Sequence, residues 1–211
     1  MQYLAFTSGP VATNSFVAFD EENHAVIIDA PPGSFAAVSA AIGEHQLGVG
    51  ALVLTHSHWD HTADLNRFRE EYGSEMIVYG HADDEYRLEK PNDYLGFPID
   101  LTFEPMTTDR HLVHGDHLTI GTMTWSIIHA PGHTEGSICL YDEVNRIIVA
   151  GDVLFADSIG RTDLHGGDHD TLIASIHDHL MPLPDDTVVL PGHGPQTTIG
   201  REREANPFIE S

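Results

Sequence analysis

Positive charge is scarce in this chain. Lysine and arginine together number 9 against 33 aspartates and glutamates, which gives a formal net charge of −24 at pH 7. Nucleic-acid phosphates release counterions only to a positive protein surface, and anionic membranes attract basic segments for the same electrostatic reason. The composition therefore argues against a nucleic acid and against a membrane surface as partners, and we attribute the acidic excess to solubility.

Cysteine and long apolar runs are scarce as well. Cys139 is the only cysteine, so no intramolecular disulfide can form, and its apolar neighbours predict an inert thiol in the core. No segment approaches the roughly 20 apolar residues that span a bilayer, and the start of the chain lacks the basic and apolar regions of a signal peptide. We therefore expect a cytoplasmic protein whose 211 residues form one domain over residues 1–211.

Metal-ligating residue types, in contrast, are concentrated in residues 55–61, which carry three histidines and an aspartate directly after an apolar run. Such a run predicts a buried strand, and open α/β folds place their sites at the carboxyl ends of strands. His56 and His58 are two residues apart, so in extended backbone both imidazoles point the same way, as a chelating pair does. Asp60 and His61 diverge from that pair and can serve a second ion.

Three further candidate ligands follow strand-like apolar segments in the same manner. His133 lies in a Pro-Gly-His-Thr sequence, Asp152 in a Gly-Asp pair and His193 in a Pro-Gly-His-Gly sequence. The glycine beside each ligand allows the backbone to turn sharply where the strand ends. Neutral imidazoles and carboxylates without a thiolate suit zinc, iron or manganese.

Turn residues and apolar spacing predict that strands and helices alternate along the chain. Strands are predicted over residues 3–6, 15–19, 25–29, 51–54 and 76–79, and near residues 118, 125, 138, 147 and 188. Helices are predicted over residues 35–45 with Ser34 as N-cap, from a cap at Asp60 or Thr62 to Tyr72 with Gly73 ending it, and over residues 82–88 and 171–180. Two strand-then-helix halves facing each other predict an α/β fold with two packed sheets between helices.

Two long segments without periodicity interrupt this pattern, residues 91–117 and residues 153–170. Long irregular segments in a compact domain are commonly functional, so we expect both to form walls of a substrate cleft. Tyr94 and Phe97 are expected to pin the first segment to the core. Outside the motifs, His129 is expected near the site as support for a ligand. The other histidines are expected in solvent, namely His24, His45, His81, His111, His114, His117, His165, His169, His177 and His179.

The order of these motifs, His-x-His-x-Asp-His, Pro-Gly-His-Thr, Gly-Asp and Pro-Gly-His-Gly, resembles the metallo-β-lactamase superfamily. The later segments, residues 151–155, 160–163, 191–195 and 202–208, resemble the short single-domain bacterial hydrolases of the glyoxalase II type. The resemblance extends over roughly residues 6–208 and implies an αββα four-layer sandwich. Longer glyoxalase II enzymes carry a helical C-terminal domain that holds glutathione. This chain ends at Ser211, so we do not carry those contacts over.

The resemblance also implies a role for each ligand. It assigns His56, His58 and His133 to a first divalent ion, Asp60, His61 and His193 to a second, and Asp152 to a bridging position. With two such ions, zinc or else iron or manganese, a bridging hydroxide would attack the carbonyl of a small anionic thioester such as an acyl-glutathione, with Asp60 as a catalytic ligand. Arg161 is a candidate clamp for a substrate carboxylate, and an ion pair with Asp163 is its alternative role.

Other chemistries share parts of this pattern. Persulfide dioxygenases resemble the chain in several later motifs, including residues 160–163, and would use a single iron and molecular oxygen; they stand as the alternative function. A nuclease of the superfamily is disfavoured by the net charge. A binding module without catalysis would be expected to lack one or more ligands, and the sequence contains the complete set.

Overall fold

Two six-stranded sheets form the centre of the protein in the computed structural model, which describes residues 1–96 and 101–209. The first sheet contains, in spatial order, β1 (Gln2–Ser8), β2 (Thr13–Phe19), β3 (His24–Ile28), β4 (Gly48–Val53), β5 (Ile77–Gly80) and β6 (Arg110–His111). The second contains β7 (His117–Ile120), β8 (Met123–His129), β9 (Ile138–Asp142), β10 (Ile147–Gly151), β13 (Val188–Pro191) and β14 (Thr197–Thr198), in the spatial order β14-β13-β10-β9-β8-β7. A separate hairpin pairs β11 (Leu154–Phe155) with β12 (Ser158–Ile159).

The directions of the strands place the carboxyl ends of several strands at the same edge of each sheet. In the first sheet β3, β4, β5 and β6 run parallel. In the second sheet β10 and β13 are parallel. Strand β8 runs in the same direction as β10, because both β8 and β10 are antiparallel to β9. Parallel strands present their carboxyl ends at one edge of a sheet, where sites of α/β proteins form. Segments that follow several strands therefore meet at one edge of each sheet.

Apolar side chains alternate between the two faces of each sheet. In β3, Val26 and Ile28 join the core between the sheets, where Trp125 of β8 is also buried, whereas Ile27 lies on the outer face. The outer face of the first sheet packs against α1 (Ser34–His45) and α3 (Leu65–Tyr72), and that of the second packs against α5 (His169–Ser175). The predicted αββα four-layer sandwich of the α/β class is thus confirmed.

The helical predictions need two corrections at helix starts. Helix α1 begins at Ser34 itself, with Gly33 at a φ of 81° before it, and the buried Ser34 hydroxyl has no hydrogen-bond partner among the described residues. The prediction of Ser34 as N-cap is therefore wrong. Helix α5 begins at His169, where the carboxylate of Asp168 accepts a hydrogen bond from Thr171 N, and a π-helical turn over Ile176–Leu180 extends it to the predicted end.

The predicted helix from Asp60 or Thr62 to Tyr72 is two helices. One turn, α2 (Trp59–Thr62), is followed by a break and then by α3, which Gly73 ends with a φ of 61° as predicted. The break arises because Asp64 N donates to Ala30 O, and Asp60 cannot cap a helix because its carboxylate accepts a hydrogen bond from Thr13 instead. The remaining α-helices of the described residues are α4 (Glu85–Glu89), preceded by a 3-10 turn over Ala82–Asp84, and α6 (Ile199–Ala205), which the sequence did not predict.

Several single-residue expectations can be compared with the structure. Cys139 is fully buried, and burial raises the pKa of its thiol to about 12, in agreement with an inert core thiol. Tyr94 packs edge-on against Tyr86, whereas Phe97 and Pro98 lie outside the described residues. His81 is buried rather than in solvent, because it stacks on the half-buried His129 with ring centroids 4.1 Å apart. Within the described ranges, no helix is both long and apolar enough to cross a bilayer.

Candidate metal centre

The carboxyl ends of β4, β8, β10 and β13 meet at one place and carry the seven predicted ligands to it. Backbone hydrogen bonds join the two sheets there, from Ile138 N to Thr55 O at 2.9 Å and from Asn14 N to Gly192 O at 2.7 Å. Gly192 must be a glycine because a Cβ there would overlap Asp152 Oδ1. The ligands themselves are His56, His58, Asp60, His61, His133, Asp152 and His193. Their candidate donor atoms form a first group of His56, His58 and His133 and a second group of Asp60, His61 and His193, and Asp152 forms a third with His56 and His61 that links the other two.

In the first group, three buried imidazoles turn ring nitrogens toward one another. His133 Nε2 lies 2.9 Å from His58 Nδ1 and 3.2 Å from His56 Nε2. The other nitrogen of His133 donates to Arg161 O at 2.7 Å, and that of His56 lies 3.1 Å from Thr55 Oγ1, which itself donates to Asp29. The inward nitrogens of His56 and His133 therefore carry lone pairs that cannot hydrogen-bond to each other. A cation between them would satisfy both.

Burial favours the neutral, ligating form of these imidazoles. It lowers the pKa of His56 and His133, and it lowers the pKa of His58 to about 3. Metal ions bind the neutral ring, so these three histidines are ready to bind without first losing a proton at neutral pH.

The second group combines a carboxylate with two imidazoles. Asp60 Oδ2 lies 3.2 Å from His193 Nε2 and 3.6 Å from His61 Nε2. Asp152 stands between the groups: Oδ1 is 3.3 Å from His61 Nε2, and Oδ2 is 3.5 Å from His133 Nε2 and 3.4 Å from His193 Nε2. Two ligands of one tetrahedral zinc ion at about 2.1 Å lie about 3.4 Å apart, so these separations suit shared ions.

Two buried atoms, His61 Nε2 and Asp152 Oδ1, lie 3.3 Å apart, yet neither has a hydrogen bond of normal geometry among the described residues. An unsatisfied buried polar atom is costly, and a metal ion is one of its few explanations. Burial opposes the charge on Asp60, but the neighbouring His61 and His193 outweigh it and hold the Asp60 pKa at about 2. Burial likewise lowers the pKa of His193, but hydrogen bonds to Asp152 and Asp60 raise it to about 10. Burial opposes the charge on Asp152 as well, but His61 and His193 hold its pKa well below the usual value. The cluster thus contains two ionised carboxylates, and the residues present fit divalent cations.

Two residues that orient the ligands were not identified from the sequence as site residues. Asp29 Oδ2 accepts hydrogen bonds from His61 Nδ1 and Thr55 Oγ1, both at 2.8 Å, and its Oδ1 accepts one from Thr55 N. Thr13 Oγ1 donates to Asp60 Oδ2 at 2.8 Å. Such partners fix the tautomer and direction of a ligating side chain. Asp29 follows an apolar strand, as the ligands do, so the same pattern could have revealed it; Thr13 carries no comparable signal.

A cavity of about 140 Å³ opens beside the cluster. His58, Asp60, His133, Asp152 and His193 lie on its polar side, and Val11, Trp59, Leu95 and Leu164 form an apolar side. Leu95 belongs to residues 91–117 and Leu164 to residues 153–170, so both predicted wall segments contribute to the cavity. A substrate here would place a polar reacting group at the cluster and an apolar portion against the opposite wall.

Arg161 lies at this cavity and is also ion-paired. Its Nε lies 2.7 Å from Asp163 Oδ1 and its Nη2 lies 2.8 Å from Asp163 Oδ2, a two-pronged contact between exposed side chains. Both roles considered from the sequence are therefore compatible with its position. An exposed ion pair contributes little stability, so Arg161 could exchange Asp163 for a substrate carboxylate at small cost.

Comparison with known protein families and relatives supports a single family assignment. The family model of the metallo-β-lactamase superfamily matches residues 8–193. The hydroxyacylglutathione hydrolase GloC of Haemophilus influenzae is 37% identical over 202 residues, covering 94% of this chain and 93% of that relative. The probable metallo-hydrolase YqgX of Bacillus subtilis is 35% identical over 213 residues, covering 99% and 98%.

Solved structures agree with the sequence matches. The crystal structure of the BLEG-1 B3 metallo-β-lactamase has a TM-score of 0.90 and 39% identity, and the alignment covers 100% of both chains. These matches span nearly the whole length of each chain, and the family model includes every predicted ligand from His56 to His193. This chain therefore belongs to the metallo-β-lactamase superfamily.

Proposed function

We propose that this protein is a thioester hydrolase that cleaves acyl-glutathione or a similar small anionic thioester with two divalent metal ions, zinc or else iron or manganese. The observation that carries the proposal is the arrangement of seven ligands into two groups that Asp152 joins, beside a cavity with one apolar wall. The Haemophilus relative named as a hydroxyacylglutathione hydrolase supports the substrate class. A cytoplasmic location and a single domain over residues 1–211 are parts of this proposal.

The side chains divide the work of such a reaction. Two divalent ions bound here would lower the pKa of a water molecule and polarise the thioester carbonyl. Asp60 and Asp152 would offset the charge of these ions, and hydrogen bonds with Asp29 and Thr13 orient His61 and Asp60. The apolar wall at Trp59, Leu95 and Leu164 would bind the acyl portion and exclude bulk water, which strengthens electrostatic interactions with the reacting carbonyl.

The deciding experiment measures thioester cleavage with and without oxygen. Zinc-loaded protein should hydrolyse lactoylglutathione at equal rates in air and under nitrogen, because hydrolysis consumes water and no oxygen. The persulfide dioxygenase alternative expects an inert zinc form and an iron form that takes up oxygen with glutathione persulfide. Oxygen uptake by the iron form, without thioester cleavage by either form, would contradict the proposal.

A β-lactam serves as a third substrate in the same assay. The 39% identity to the BLEG-1 B3 metallo-β-lactamase gives β-lactam hydrolysis a specific observation in its favour. If the protein is a thioester hydrolase, benzylpenicillin should be cleaved with a much lower kcat/KM than lactoylglutathione. A kcat/KM that is higher for benzylpenicillin would reassign the substrate and retain the hydrolytic centre.

Arg161 and Asp163 provide a paired prediction about substrate charge. Arg161→Ala should raise KM for lactoylglutathione about tenfold with little change in kcat, because a charge-assisted contact that is equal in ground and transition states affects binding alone. Asp163→Asn should instead lower KM, because it frees the guanidinium from its exposed partner. Steady-state kinetics of both variants provides the measurement. Parallel changes in the two variants would mean that the ion pair only shapes the loop.

A further inference from the structure

Asp84, which belongs to none of the candidate ligand groups, is a buried carboxylate that contacts two ligand-bearing loops. It is 3% exposed and ends the turn before α4. Its Oδ2 accepts hydrogen bonds from Ser57 N at 2.8 Å, from Ser57 Oγ at 2.9 Å and from Thr134 Oγ1 at 2.9 Å. Its Oδ1 accepts another from Gly136 N at 2.8 Å. Both carboxylate oxygens of Asp84 therefore accept hydrogen bonds from donors in two separate loops.

Two of the residues that donate to Asp84 are direct chain neighbours of predicted metal ligands. Ser57 lies between His56 and His58, and Thr134 directly follows His133. One carboxylate thus spans the two loops whose three imidazoles face one another in the first group. The close approach is built into the chain, because a Cβ on Gly136 would lie 2.7 Å from Asp84 Cγ.

Arg87 holds this carboxylate in place from the other side. Its Nη1 lies 2.9 Å from Asp84 Oδ1, and its Nη2 contacts Glu135 and donates to His165 O at 2.7 Å. Arg87 is 2% exposed, so the Asp84–Arg87 pair is buried. A buried ion pair is weak support for stability because desolvation offsets the attraction, yet its many hydrogen bonds specify one geometry. The Asp84–Arg87 pair can therefore fix the position of the two loops, rather than add to the free energy of unfolding.

We propose that Asp84, fixed by Arg87, is a positioning residue that sets the distance between the His56–His58 pair and His133, and through it the affinity of the first metal position. The inference rests on the proposed metal centre. The second position has its own support in Asp29 and Thr13, so the effect of Asp84 should be confined to the first group.

The test is zinc affinity of the Asp84→Asn variant, measured by titrating metal-free protein against a chromogenic chelator. An amide turns donor hydrogens toward the Ser57 and Thr134 donors or toward Gly136 N and Arg87. We expect one of the two zinc equivalents to bind about 10- to 100-fold more weakly, the range typical for losing such a partner, and the other to change little. The absorption spectrum of the cobalt-loaded variant should change with it, because that spectrum reports ligand geometry.

Asp20→Asn is the matched control. Asp20 is a buried carboxylate that, like Asp84, accepts five hydrogen bonds, from Glu22 N, from the backbone and ring of His24 and from the backbone and hydroxyl of Thr122. It precedes β3, at the opposite end of that strand from Asp29. The control should lower the thermal unfolding temperature and leave both zinc affinities unchanged. Equal weakening of both equivalents in Asp84→Asn would mean general destabilisation and would overturn the inference, as would unchanged binding.

Thr134→Val keeps the test decisive if Asp84→Asn does not fold. It removes one hydrogen bond to Asp84 while preserving side-chain shape, and we expect about threefold to tenfold weaker binding of the same equivalent. Unchanged affinity would overturn the inference. Zinc affinity is independent of the substrate: a wild-type protein that binds two zinc ions and cleaves no thioester contradicts the proposed function alone, whereas wild-type affinity in the Asp84 and Thr134 variants contradicts this inference alone.

Discussion

Replacing Asp152 with alanine is expected to remove both metal ions and to lower thioester turnover by at least about a thousandfold. The reason is geometric: the Asp152 carboxylate is 3.3 Å from His61 Nε2, 3.4 Å from His193 Nε2 and 3.5 Å from His133 Nε2, and no other described side chain contacts imidazoles of both groups through two carboxylate oxygens. Alanine also leaves both positions without the negative charge that offsets the ions. Metal content by mass spectrometry should fall from about two ions per chain to well below one.

Two further variants show whether this loss is specific. His193→Ala should remove only the second ion, because His193 approaches Asp60 and Asp152 but not the first group of imidazoles. Asp163→Asn, which alters an exposed aspartate beside the same cavity, should retain both ions. A wild-type protein with one tightly bound ion, unchanged in His193→Ala, would rule out a dinuclear centre.

Asp60→Asn is expected to lower turnover about a hundredfold or more while the protein remains folded. The substitution preserves the shape of the side chain and removes a negative charge that lies 3.2 Å from His193 Nε2. The amide can also present its NH₂ group to Thr13 Oγ1, which now donates to Asp60 at 2.8 Å. Losing one main electrostatic contributor to a reaction typically costs 10²–10³ in turnover, which sets the expected size.

Thr13→Val separates the charge of Asp60 from its orientation. This variant retains the carboxylate and removes one hydrogen bond, so kcat should fall only about threefold to tenfold. Steady-state kinetics at saturating metal, with thermal unfolding as a check on folding, measures both variants. Near-normal turnover in Asp60→Asn would show that Asp60 and its ion take no part in the reaction.

The positions of the ligands along the chain could be predicted because they are local features. An apolar run, a glycine and a ligating residue lie within a few positions of one another at His133, Asp152 and His193, and a run of ligands follows β4. Strand ends in an α/β fold converge, so recognising each end also predicted that the residues meet. The order of strand-like and helix-like segments can also be recognised along the chain, and its two strand-then-helix halves predicted two packed sheets between helices.

Features that depend on distant partners were not predictable. The helix expected to continue through Asp64 is interrupted because that residue bonds to Ala30, far away in the chain, and this contact outweighs helix propensity. His81 looked like a solvated histidine because nothing nearby indicates that it stacks on His129.

The sequence by itself determined which residue types stand at the strand ends, and with them the family, the layer order and the candidate ligand set. Only the tertiary structure decided which side chains orient those ligands. Asp29 hydrogen-bonds to His61, and Thr13 hydrogen-bonds to Asp60. The buried Asp84–Arg87 pair connects the loop of His56 and His58 with the loop of His133. The physical reason is that ligand identity depends on the chemistry of one residue, whereas direction depends on hydrogen bonds between segments that come together only when the chain folds.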